Sequence, residues 1–252
     1  MASKIALVTG ASRGLGKDSA LQLAKKGFDL ILTYQTKKEA ADEVVKEIET
    51  LGQKAVALPL DISTTKGFDQ FVTEVKNVLD THFNSAKLDA LVNNAGIGIN
   101  ESFEATTEET LDAMTNIHFK GPYFLTQKLL PLLNDGSSVV NTSSGLARFS
   151  MPGYSAYGAM KAAIDSLSRY QALEFGSRKI RVNSIAPGAI ETDFGGGVVR
   201  DISDINQHLA SETALGRVGL PDDIGSVVAF LCSDDSKWIN GQRVEVSGGF
   251  KL

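Results

Sequence analysis

The chain has 252 residues, 42% of them hydrophobic and 22% charged, with a formal net charge of −5. That length holds one large domain or two small ones around a substantial core, and the acidic balance leaves no basic footprint for nucleic acid or an anionic membrane. The longest apolar runs, LLPLL at 129–133 and VVAFLC at 227–232, are too short to span a bilayer.

KIALVTG at 4–10 is apolar, β-branched and closed by glycine, the pattern of a buried strand. It follows the first methionine so directly that no signal peptide is expected, which predicts a cytoplasmic protein. GLGKDSALQLAKKG at 14–27 has helical periodicity and ends on Gly27, a plausible residue to terminate a helix. FDLILTYQ at 28–35 reads as a second strand, and the charged amphipathic run at 37–52 as a helix ending on Gly52. KAVALPLD, LDALVNNAG, SSVVNTSS and KIRVNSIAPG follow as short apolar runs, each separated from the next by a helical pattern. TTEETLDAM carries a capping-box signature at Thr106 and Glu109. Pro221, Asp222 and Asp223 look like the first turn of a last helix before the final strand, QRVEVSGG.

Seven strands alternating with about six helices mean βαβ units and a parallel sheet covered on both faces. The expected fold is α/β, a Rossmann-type doubly wound parallel seven-stranded sheet, in one domain over 1–252. The long irregular stretch at 188–210, with Gly195, Gly196 and Gly197, reads as a substrate lid that stays mobile until coenzyme binds. A single cysteine, Cys232, excludes an intrachain disulfide, and His82, His118 and His208 have no metal-ligand spacing, so no metal is expected.

TGASRGLG places Gly10, Gly14 and Gly16 between the first strand and first helix, where backbone N–H groups and the helix N-terminus can meet a pyrophosphate. At the end of the second strand, where an NAD-selective protein usually carries an acid, the chain reads Tyr34, Gln35, Thr36, Lys37, with no carboxylate before Glu39. Missing acid and the nearby Arg13 fit a 2′-phosphate, hence NADP(H). Tyr157 and Lys161 are four apart in a helical run, so both lie on one face. The ammonium is expected to lower the phenol's pKa toward neutrality and make it a proton donor and acceptor. Ser144, ending a strand-like run, can aim its hydroxyl at the same place.

Taken in order, the three glycines, Asp61, NNAG at 93–96, Asn116, Ser144, Tyr157, Lys161 and Pro187-Gly188 closely resemble the short-chain dehydrogenase/reductase superfamily in its single-domain branch. The resemblance spans the whole chain and implies roles position by position. Tyr157 is then the general acid in carbonyl reduction, Lys161 holds the nicotinamide ribose, Ser144 steadies the substrate oxygen, and Asn116 holds a relay water. Coenzyme contacts are implied for Gly10, Ser12, Arg13, Gly14, Leu15, Gly16, Tyr34, Gln35, Asp61, Ile62, Asn93, Ala95 and Gly96. The same holds for Pro187, Gly188, Ile190 and Thr192. Ser143 is read as supporting the strand end.

The resemblance leans toward NADPH-dependent 3-oxoacyl-carrier-protein reductases and related carbonyl reductases, acting on a small-molecule ketone or secondary alcohol. Other small ketones, sugars or steroid-like substrates stay open, as does a non-catalytic NADP(H)-sensing regulator. An acidic carrier protein would want a basic patch, for which Arg148, Arg200 and Lys120 are the candidates. Phe149, Met151, Phe194 and Ile97 are expected to form an apolar substrate pocket. The family also implies a homotetramer.

Overall fold

In the computed structural model, which describes residues 3–252, seven strands form one parallel sheet in the order β3-β2-β1-β4-β5-β6-β7. They are β1 (Lys4–Val8), β2 (Phe28–Tyr34), β3 (Ala55–Pro59), β4 (Leu88–Asn93), β5 (Leu133–Thr142), β6 (Arg181–Pro187) and β7 (Arg243–Val246). Alternate residues of the central strands feed opposite faces, as a strand's period of two requires. On β1, Ala6 and Val8 face one core while Ile5 and Leu7 face the other. Helices α1 (Gly14–Lys25), α2 (Lys38–Thr50) and α9 (Pro221–Cys232) cover the first face through Leu23, Val44, Ile48 and Val228. Helices α3 (Phe68–Thr81), α5 (Gly121–Leu129) and α6 (Ser155–Glu174) cover the second through Phe71, Leu79, Leu125 and Ala172. The expected doubly wound architecture is therefore observed.

Chain order turns back between β1 and β4, so the loops after these two strands diverge and leave a crevice at the carboxyl edge.

Two local expectations are corrected, and one feature is new. The cap of α4 (Glu108–Thr115) is Thr107, whose Oγ1 accepts from Thr110 N at 3.2 Å, while Thr106 Oγ1 donates to the Ser102 carbonyl instead. Helix α4 runs on into α5 through one wide π turn, Asn116–Lys120, which no residue pattern announces. The 188–210 stretch is not irregular: it holds a 3₁₀ turn at Phe194–Gly197 and two short helices, α7 (Val198–Asp201) and α8 (Ser203–Ser211). Gly195, Gly196 and Gly197 all have φ between 61° and 80°, a left-handed run that breaks any helical periodicity before α7. No helix among the described residues is long and apolar enough to cross a membrane.

Candidate active site

One cleft of about 550 Å³ runs along the carboxyl edge. Its nucleotide end is the turn from β1 into α1. Gly10 has φ +64°, and a Cβ there would lie 2.9 Å from Ala95 Cα; a Cβ on Gly16 would lie 2.2 Å from the Gly10 carbonyl oxygen. Only glycine lets β1, α1 and the loop after β4 approach so closely, and this leaves the α1 N-terminus open to an anion. Ser12, Arg13, Gly14, Leu15, Tyr34, Gln35, Asp61, Ile62, Ala95, Gly96, Pro187, Gly188, Ile190 and Thr192 all line the cleft, as the sequence leads one to expect of a dinucleotide cradle.

Asn93 does not. It is 6% exposed and its amide donates to Thr126 and Asn141, tying β4 to β5 and α5 beneath the sheet edge. A strand alternates its side chains, so Asn94 takes the cleft side and donates to the Thr9 carbonyl at 2.9 Å. Asp61 accepts from Ser63 N and Oγ in a tight local turn, yet still borders the cleft. Lys38 pairs with Asp42 at 2.6 Å, leaving Arg13 and Lys37 as the cations at the ribose end. The Arg13 guanidinium is half exposed and lies 3.6 Å from Asp193, which also pairs with Arg200.

At the other end, α6 sets Tyr157 and Lys161 one turn apart on a single buried face, 7% and 4% exposed. Ser144 follows β5 in extended backbone at the start of a 3₁₀ turn and accepts from Leu146 N at 3.2 Å. Ser143 Oγ donates to the Lys161 carbonyl and its N–H to the Ile185 carbonyl, the supporting part expected of it.

The electrostatics run opposite to the expectation for Tyr157. Burial pushes its phenol up, not down, although the Ser144 hydroxyl opposes part of that rise. The same burial pushes Lys161 down to about 7, with Asp165 one turn on pulling it back up. Lys161 Nζ lies 5.4 Å from the centroid of the Tyr157 ring and donates to the Thr142 carbonyl at 2.7 Å. Desolvation is the leading cause of both shifts.

Asn116, expected to hold a relay water, opens the π turn and is not among the residues lining the cleft, whereas Ile117 and His118 are. His118 is 1% exposed, with its ring set edge-on to Tyr157 at 5.1 Å between centroids. A second residue gave no sequence signal: Arg243 on β7 donates to the Ser144 carbonyl at 2.9 Å and to Asp165 at 2.8 Å, and also pairs with Glu245. It clamps the strand end carrying Ser144 to the helix carrying Lys161. Arg243→Leu is expected to leave Asp165 buried without its cation, at a stability loss of about 2–3 kcal/mol for a pair that keeps some solvent access, read by chemical denaturation.

The apolar side of the cleft is aromatic. Phe194 stands 5.6 Å from Tyr157 and packs on Gly98, where a Cβ would meet the ring at 2.6 Å. Phe149, Met151, Tyr154 and Ile97 complete it.

Fold and cleft define a protein of the dinucleotide-binding α/β class. The family described as enoyl-(acyl carrier protein) reductase matches residues 10–251. The hydroxynaphthalene reductase-like protein Arp2 of Metarhizium brunneum is 38% identical over 260 residues, covering 99% of this chain and 95% of its own. Among solved structures, the promiscuous reductase LugOII, which catalyses keto-reduction at C1 in lugdunomycin biosynthesis, superposes with a TM-score of 0.94 at 35% identity, covering 100% and 98% of the two chains. The angucycline C-6 ketoreductase LanV, solved with NADP bound, gives 0.93 at 36% identity, covering 99% and 96%. The chain belongs to the short-chain dehydrogenase/reductase family.

Proposed function

We propose that the protein is an NADPH-dependent ketoreductase that reduces a ring ketone of an aromatic or polycyclic substrate to a secondary alcohol. The observation that carries this reading is the placement of Tyr157, Lys161 and Ser144 in the same cleft as the glycine turn, beneath an aromatic wall. The cradle fits the coenzyme: glycines where a Cβ would collide, an open helix N-terminus, and no carboxylate at the end of β2. Bound NADPH supplies the hydride. Arg13 and Lys37 would hold its 2′-phosphate, Lys161 its nicotinamide ribose, and Pro187, Gly188, Ile190 and Thr192 would border the nicotinamide.

The protein's own part is to orient the ketone and move one proton. Ser144 donates a hydrogen bond to the carbonyl oxygen, where negative charge develops. Tyr157 then gives its proton to that oxygen. A secondary alkoxide is a stronger base than a phenolate, so the transfer runs downhill even from a phenol that burial has made less acidic. Burial keeps Tyr157 protonated, the form reduction needs.

Phe149, Tyr154 and Phe194 supply flat faces suited to a fused ring, and the similar proteins include reductases of hydroxynaphthalenes and angucyclines. A 3-oxoacyl thioester has the same carbonyl chemistry, but of the three cations that would meet a carrier protein two are engaged, leaving exposed Lys120. Arg148 holds the Phe250 and Lys251 carbonyls and faces Glu245, and Arg200 pairs with Asp193 and Asp201. The experiment is a panel of tetralone-like, hydroxynaphthalene and 3-oxoacyl substrates with both coenzymes, followed by loss of reduced nicotinamide. Turnover is expected on the ring ketones; turnover on 3-oxoacyl thioesters alone would replace this substrate class.

Arg13 sets the coenzyme preference. NADPH is expected to bind at least tenfold tighter than NADH, ~1.4 kcal/mol, and Arg13→Ala to erase most of the difference in a fluorescence titration. Equal affinity of the unaltered protein for the two coenzymes would remove Arg13 from this role. We propose in addition a homotetramer located in the cytoplasm, which sedimentation and cell fractionation test.

A further inference from the structure

His118 is the buried imidazole for which the reduction just described has no use. The π turn places it: Gly121 N reaches back to the Asn116 carbonyl, widening the helix by one residue and turning the ring into the cleft. Nε2 lies 2.8 Å from the Ile97 carbonyl oxygen. A carbonyl only accepts, so Nε2 carries the proton and Nδ1 is left as a bare acceptor. That Nδ1 is buried and has no hydrogen-bond partner among the described residues. The site is shaped to admit the ring, because a Cβ on Gly96 would stand 2.8 Å from Cε1 and 3.3 Å from Nδ1.

The charged and titratable groups facing this imidazole come from α6: Tyr157, edge-on at 5.1 Å, and Lys161, whose charge acts on it. The loop from 94 to 100 that carries Ile97 brings none. Burial and Lys161 together push His118 down to about 2, so it stays neutral at any working pH. A neutral ring cannot be the acid of the reaction. What it offers is a fixed lone pair next to the two groups that handle the proton, and a buried unpaired acceptor is a cost that a structure keeps only where something donates to it.

We propose that His118 is a positioning residue for the proton side of the reduction, its Nδ1 accepting through one water a hydrogen bond that begins at the Lys161 ammonium. This rests on the function proposed above. Lys161 has three protons to place. One goes to the Thr142 carbonyl, and a second held by Nδ1 through that water fixes the ammonium so that it keeps one heading for the coenzyme ribose and the Tyr157 oxygen. After each turnover the ammonium so held returns to Tyr157 the proton it gave up, and Lys161 is reprotonated from water.

The test compares His118→Leu with His118→Asn in the full chain. Leucine fills the space without an acceptor; asparagine keeps both an N–H for Ile97 and a carbonyl oxygen in place of Nδ1. His118→Leu is expected to lower kcat about tenfold or more with KM and the NADPH Kd within about threefold, and to shift the pH limb of kcat that reports Lys161. His118→Asn is expected to recover most of kcat and the unaltered pH profile. Equal losses in both variants, matched by equal falls in Tm and an unmoved pH profile, would make His118 a packing residue and overturn the proposal. So would near-normal turnover in His118→Leu. A readout independent of catalysis is the ¹⁵N resonance of the ring in the coenzyme-free protein. The expected state is an Nε2–H tautomer that does not titrate between about pH 5 and 9, whereas a titration near the reference value of about 6.5 contradicts it. Failure of the proposed function would show instead as no turnover by the unaltered protein, with the tautomer still as stated.

Discussion

Tyr157→Phe is expected to lower kcat by roughly 10²–10⁴ while leaving the NADPH Kd within about twofold. The substitution removes one oxygen from a ring that is 7% exposed and packed between His118 and Phe194, so volume and packing are kept. It deletes the proposed proton donor to the carbonyl oxygen. Because burial keeps the phenol neutral, no charge is lost with the hydroxyl, and stability is expected to change by no more than about 1 kcal/mol. Steady-state rates beside a coenzyme titration read both halves. Near-full turnover would place the proton donor elsewhere.

Lys161→Met is expected to abolish measurable turnover and to weaken NADPH binding about tenfold or more, since it removes both the proton path and the grip on the ribose. It should also change how stability depends on pH. Lys161 is pushed down to about 7 in the folded chain, against about 10.4 when unfolded. Between those values the unfolded chain binds more protons, so this group makes stability rise from about pH 7 to about pH 10, and stability is lost as pH falls back toward 7. Below 7 both states are charged and the contribution is flat. The methionine variant should lack that rise, in a difference of denaturation curves taken against the unaltered protein. An identical pH dependence would mean that Lys161 is charged and well solvated in the fold.

Much of this was legible in the chain. Runs such as KIALVTG and FDLILTY have one period and one burial pattern, and the alternation of strands with helices leaves few topologies for seven strands. Gly10 and Gly16 stand where only a missing Cβ permits the close approach. The illegible parts depend on contacts between distant segments. Asn93 and Asn94 are neighbours of the same type, and only the strand's alternation at the sheet edge decides which faces the cleft. The π turn has no residue signature, so the entry of His118 into the cleft had no sign in the sequence. Arg243 reaches Ser144 across 99 positions of sequence. The direction of the Tyr157 shift was missed because spacing shows which groups meet but not how dry the place is where they meet.

The measurement that bears most directly on the central claim uses NADPH deuterated at the transferring C4 position and a ring ketone, with mass spectrometry of the product. The account predicts one deuterium on the new carbinol carbon with the unaltered protein, and loss of nearly all of that product with Tyr157→Phe although the coenzyme still binds. Tight NADPH binding with no deuterium delivered to any ketone would contradict it, and would make the protein a sensor of the coenzyme rather than a reductase.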